Sequence, residues 1–178
     1  MLILKDMKLA DVIHHDHNLV PIINRFDIHL GFGDKTIGEL TREQDINTDF
    51  FLVILNAFHD PQYFPRKHLQ SFPASMLIHY LTKSHDYYLE KKIPEIEYLI
   101  DNLTEEDGMD NDTFLLLKNF FKEYKEELMS HIRKEEERVY PYVLELERAI
   151  EELTPSESLI SQMNAYSIND YEDEHDDV

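Results

Sequence analysis

The stretch Leu128-Met129-Ser130-His131-Ile132-Arg133-Lys134-Glu135 places a histidine and a glutamate four residues apart on an apolar helical stripe. That stripe runs Leu117, Phe121, Tyr124, Leu128, His131, Glu135, Val139, Tyr142, Leu146, in steps of four and three, which is the period of one helix face. His131 and Glu135 therefore occupy positions where packing asks for leucine. A buried imidazole or carboxylate is costly unless it is paired or coordinates a metal. Two readings follow: a metal held between the pair, or a buried His-Glu hydrogen bond or exposed i,i+4 pair on a long charged helix.

Working outward, the whole chain has 178 residues, 42% hydrophobic, with only four glycines and long intervals free of proline. This favours an all-α protein with enough length to bury a real core. Seventeen basic against 37 acidic residues give a formal charge of −20. Such a surface repels nucleic acid and anionic membranes and suits cations, although acidity alone also serves solubility. The absence of cysteine excludes disulfides, thiolate zinc sites and cysteine-bound iron–sulfur clusters, so any metal must be held by nitrogen and oxygen. The N-terminus lacks a signal-peptide core, and no apolar run approaches the ~20 residues needed to cross a bilayer. The expected compartment is the cytoplasm.

Residues 1–60 read as a small helical N-terminal domain. Leu9, Val12 and Ile13, then Leu19, Ile22, Ile23 and Phe26, supply apolar faces, and His29-Leu30-Gly31-Phe32-Gly33-Asp34-Lys35 forms a glycine loop. Thr36 and Glu39 have capping-box spacing, and a helix from about Asn47 to Phe58 carries Phe50, Phe51, Val53, Ile54, Leu55 and Phe58. Residues 61–73, rich in proline and polar groups, read as an extended linker. From Ala74 the stripe Ile78, Leu81, His85, Leu89, Ile96, Leu99, Leu103 predicts a long helix bent near Pro94. Turn residues Glu105 to Asp112 end it, and Asp112 or Thr113 begins a second long helix reaching about Ile150, with Phe114, Phe120 and Phe121 in its core. Two such helices make an αα-hairpin, half of a four-helix bundle.

His85 interrupts the first stripe as His131 and Glu135 interrupt the second, so an antiparallel hairpin would bring all three to one interior point. Imidazole with carboxylate suits iron, manganese or zinc. Spacing alone leaves a metal bundle and a plain structural bundle open.

The chain resembles the iron–sulfur cluster repair family, di-iron proteins with a small N-terminal domain followed by a hemerythrin-like, HHE cation-binding bundle. The resemblance rests on Leu9-Ala10-Asp11-Val12 with Arg25-Phe26-Asp27-Ile28-His29-Leu30-Gly31-Phe32-Gly33-Asp34-Lys35-Thr36, and on His85 with Leu89 and Ile93-Pro94-Glu95. It is carried further by Ser130-His131 through Lys134-Glu135-Glu136, by Val139-Tyr140-Pro141, and by Asp173-Glu174-His175-Asp176. It implies that residues 74–178 form a partial hemerythrin-like up-down bundle, two long helices plus the start of a third. It implies that His85, His131 and His175 are imidazole ligands and Glu135 a carboxylate bridging two non-heme irons. O2 or NO would be the small ligands, met under oxidative or nitrosative stress.

The chain departs from the family in several places. Gly31 and Phe32 stand where adjacent cysteines are common. The spacing from His85 to Pro94 is one residue longer than usual, so either Asp86 faces the metal or a local bulge absorbs the extra residue. No histidine lies near the end of the first long helix, and the sequence stops at Val178, before a fourth helix. Three readings stay open: the natural product continues past Val178, the gene product is shortened, or a half-bundle pairs with another copy. The expectation is association, with a homodimer completing the bundle, or else a weakened, metal-poor bundle. The alternative function is a non-catalytic oxygen or iron sensor, or a metal-free interaction module. Among the other histidines, His14, His15 and His17 read as surface or helix-end residues and His29 as a turn residue, with His59, His68 and His79 facing solvent.

Overall fold

The computed structural model describes residues 1–103 and 110–165. It is all-α, with one isolated antiparallel bridge, Lys8 to Thr36, outside the helices among the described residues. Contacts divide the chain into two units, the first comprising Met1–Lys83 and the second beginning at Ser84. No described helix is long and apolar enough to cross a membrane.

In the first unit, α1 (Leu9–His15), α2 (Val20–Asn24), α3 (Ile37–Glu43) and α4 (Thr48–His59) surround one apolar centre. Helix α4 is its axis, because Phe50, Phe51, Val53, Ile54 and Leu55 cover most of its circumference and all are buried. Removing a side chain such as Phe51 or Leu55 from water contributes roughly 1.5–3 kcal/mol. Phe58, expected in that core, is half exposed, and the Arg25 guanidinium lies over its ring at 5.7 Å. The one polar residue at the heart of α4 has a specific partner. Asn56 accepts from the Ile3 N–H at 2.7 Å and donates to the Ile3 carbonyl at 3.0 Å, pinning the N-terminal segment as a strand neighbour would.

Thr36 and Glu39 form the full capping box at the start of α3. Gly31 and Gly33 take φ of 109° and 65°, backbone conformations that side chains disfavour, and so carry the loop into that cap. The segment 61–73, expected as an extended linker, contains α5 (Arg66–Leu69), and its Leu69 and Phe72 pack against the first unit's core. Phe72 meets Phe50 edge-on, with ring centroids 5.2 Å apart.

Helix α6 (Ala74–Tyr87) leads through a π-turn, Tyr88–Lys92, into α7 (Ile93–Asp101). Helix α8 (Asn111–Lys134), capped by Asp110, leads through a second π-turn, Glu135–Val139, into α9 (Tyr140–Glu152). Both π-turns end two residues before a proline, Pro94 or Pro141, and in each the intervening residue closes the turn, Ile93 N–H reaching the Tyr88 carbonyl and Tyr140 N–H the Glu135 carbonyl. A proline ring clashes with the carbonyl four residues back in an α-helix, and the wider turn moves that carbonyl aside.

The extra residue also rotates the face that follows. Ile96 and Leu99, expected on the buried stripe, are 37% and 58% exposed, and Ile93 and Ile100 are buried in their place. Helices α7 and α8 run antiparallel, as the ion pairs Glu97–Lys125 and Asp101–Lys118, both at 2.6 Å, require. Phe120, expected in the core, is exposed. Beyond a left-handed Leu153, α10 (Glu157–Ala165) packs Leu159 against α9, its start capped by Ser156, which also donates to Glu145 at 2.6 Å.

Candidate metal centre

Where α6 ends and α8 gives way to its π-turn, three of the four expected ligands come together. His85 projects from the last turn of α6 and is buried, whereas Asp86 is exposed. The π-turn after His85 forms a one-residue bulge before Pro94, and His85 is the buried side chain of the His85-Asp86 pair.

The Glu135 carboxylate lies between two imidazoles. Its Oε2 is 3.1 Å from Nε2 of His85, and its Oε1 is 3.6 Å from Nε2 of His131. His85 is held on its other edge as well, where Nδ1 donates to Glu136 at 2.9 Å. Tyr140 closes the group. Its hydroxyl donates to Glu135 Oε2 at 3.3 Å, and its ring stacks on that of His85 with centroids 5.8 Å apart and planes 9° from parallel.

The electrostatics follow from this crowding. Burial presses the His85 pKa down, but the hydrogen bonds and charges of Glu135 and Glu136 outweigh it, leaving the imidazole more basic than usual. Burial likewise pushes Glu135 up, and the His85 hydrogen bond with the His131 and His85 charges reverses that, so its carboxyl titrates below its ordinary value. Burial and the Glu135 charge push the Tyr140 phenol far up, so it stays a donor.

In donor chemistry the cluster fits a borderline cation such as iron: two imidazole nitrogens and a carboxylate with one oxygen toward each. Two donors each about 2.1 Å from an ion stand about 3.0 Å apart at a right angle and about 3.4 Å apart at a tetrahedral angle. The two N–O separations at Glu135 are of that size. The donors come in pairs, and among the described residues no three His, Asp or Glu side chains converge on a single point. His175, the fourth expected ligand, lies outside the described residues.

Glu136 and Tyr140 were not legible as site residues. An α-helical period puts Val139, not Tyr140, beneath Glu135, and places Glu136 a hundred degrees around the helix. The π-turn aligns residues five apart and brings Tyr140 under Glu135. The usable signal was Pro141, which disfavours a regular helix through the four residues before it.

No known family, curated protein or solved structure matches the chain. The reading of this cluster therefore rests on its own residues. Of the other histidines, His14, His15, His17, His29, His68 and His79 are exposed as expected, but His59 is not. Its Nδ1 lies 2.8 Å from Asp16, and both side chains are largely covered. That hydrogen bond lowers the Asp16 pKa.

Proposed function

We propose that the second unit is a non-heme iron-binding bundle of hemerythrin-like type, resembling iron–sulfur cluster repair proteins and acting in the cytoplasm under oxidative or nitrosative stress. The observation that carries this reading is the Glu135 carboxylate set between Nε2 of His85 and Nε2 of His131. In that role the two histidines anchor, Glu135 bridges, and Glu136 fixes the His85 ring so that Nε2 faces inward. A carboxylate on the outer nitrogen is the usual partner of a metal-binding histidine. Iron at such a position supplies an open site for a diatomic such as O2 or NO. His175 is a further ligand in this reading, and a second copy of the chain completes the bundle. The exposed stripe Leu116, Phe120, Tyr124, on the same face of α8 as His131, supports that pairing.

A second reading has its own observation. Both ring nitrogens of His85 already meet carboxylates, so the cluster satisfies itself as a polar knot, as a metal-free interaction module would require. Elemental analysis after anaerobic purification separates the two. Iron retained by the wild type and lost in His131→Ala supports the first, and an iron-free protein from iron-replete cells supports the second. Given iron, restoration of a damaged cluster on a second protein distinguishes repair from sensing.

A further inference from the structure

Three atoms of the second unit's cluster form a nearly equilateral triangle. Tyr140 Oη lies 3.3 Å from Glu135 Oε2 and 3.5 Å from His85 Nε2, and those two atoms are 3.1 Å apart. Donors that share one ion at about 2.1 Å stand about 3.0–3.4 Å from one another, and the three sides match that range to about 0.1 Å. A single position, slightly off the plane of the triangle, is about 2.1 Å from all three atoms. His131 stands outside it, because its Nε2 faces the other carboxylate oxygen, Oε1, at 3.6 Å. The third donor that no His, Asp or Glu of the described residues supplies at this point is thus a phenol oxygen.

The three atoms are held there by contacts that do not use the triangle itself. The π-turn sets Tyr140 five residues after Glu135, and the Tyr140 ring is buried and stacked on that of His85, so the hydroxyl has little freedom to swing away. Glu136 takes the opposite edge of His85, which leaves Nε2 facing the triangle. A tyrosine oxygen is a ligand of iron in proteins. The more highly charged ferric ion favours an anionic oxygen donor more strongly than ferrous ion does. Toward ferrous ion a neutral phenol donates weakly, and His85, Glu135 and His131 carry the binding.

We infer that Tyr140 is a ligand for ferric ion, its Oη completing with His85 Nε2 and Glu135 Oε2 a three-donor face for one ion of the centre. This rests on the iron reading of the second unit. As the bond from Oη to the ion forms, the Oη–H bond breaks and its proton leaves to the buffer, with no change of oxidation state. The test supplies ferric ion as its nitrilotriacetate chelate to the full-length chain and to two variants. Tyr140→Phe keeps the ring on His85 and deletes only the oxygen, and Tyr142→Phe deletes the oxygen of a neighbouring buried tyrosine. Bound iron is measured after gel filtration, and visible absorption with resonance Raman scattering reports an iron-bound phenolate. Wild type and Tyr142→Phe are expected to retain ferric ion and to show a phenolate-to-iron charge-transfer band that enhances tyrosinate ring modes. Tyr140→Phe is expected to lose the band and to bind ferric ion about tenfold or more weakly, no less than the cost of losing a ligand's hydrogen-bond partner, while its ferrous uptake stays close to wild type. Ferric ion bound by the wild type without that band, a band that survives in Tyr140→Phe, or one lost in Tyr142→Phe instead would overturn the role of Tyr140 and leave the iron reading standing. A wild type that binds neither ferrous nor ferric ion would overturn both.

Discussion

Glu136 holds Nδ1 of His85 at 2.9 Å, on the edge of the ring opposite the one that faces Glu135. The glutamate thereby sets which imidazole nitrogen is presented to the interior. Replacing it with glutamine or alanine is expected to leave the helices intact and to weaken metal binding by roughly 10–100-fold, the usual cost of losing such a partner. Parallel titrations of wild type and Glu136→Ala with ferrous ion and with zinc measure it, and unchanged affinity would remove Glu136 from the site.

In the metal-free protein the same contacts make stability depend on pH in two directions. The His85 pKa is raised on folding, so its contribution is complete below the ordinary imidazole value of about 6.5 and is lost as pH rises through the raised one. The Glu135 pKa is lowered, so its contribution is complete above the ordinary carboxylate range and is lost as pH falls through the lowered one. Urea midpoints across pH are therefore expected to be highest in mildly acidic solution, with both flanks shallower in a His85→Gln, Glu135→Gln double variant. Metal affinity runs the other way on the alkaline side, since the ion must displace the His85 proton and binding strengthens as pH rises.

The first π-turn behaves as a one-residue insertion whose width accommodates Pro94. Deleting Glu90 is expected to restore an ordinary α-helix with Ile93 and Ile100 still buried, but at a cost of about 3 kcal/mol or more from the proline ring. Combining the deletion with Pro94→Ala removes that cost and returns the thermal midpoint to wild type or above it. A double variant no more stable than the single deletion would show that the turn has another cause.

Asn56→Ala takes away both hydrogen bonds that clamp the Ile3 backbone and leaves a buried N–H and C=O without them. A loss of roughly 1–3 kcal/mol is expected in chemical denaturation, together with faster exchange of the Ile3 amide proton. An unprotected Ile3 amide in the wild type would contradict the clamp.

The helical nature of the chain and the meeting of His85, His131 and Glu135 were legible because both follow from apolar periodicity interrupted at three positions. The period was imperfect within the α-helical segments, where Leu81 and Tyr124 are exposed and Ile132 is buried, and it shifted again at the two π-turns. Past Lys92 the buried face passes to Ile93 and Ile100, and past Lys134 it takes in Tyr140, neither of which a constant 3.6-residue step can predict. Both prolines were visible, yet a proline announces a break without stating whether the helix kinks, ends or widens. Arg25 escaped notice for a different reason. An arginine beside an apolar run reads as exposed, and its burial depends on Tyr80, a partner 55 residues away.

Anaerobic titration of the metal-free full-length chain with ferrous ion, set beside Glu135→Ala, tests the central claim most directly. Saturable uptake by the wild type that is lost in the variant, with one proton or more released per ion bound near neutral pH, is the predicted result. A wild type that takes up no iron, or a Glu135→Ala variant that binds it equally well, would contradict it.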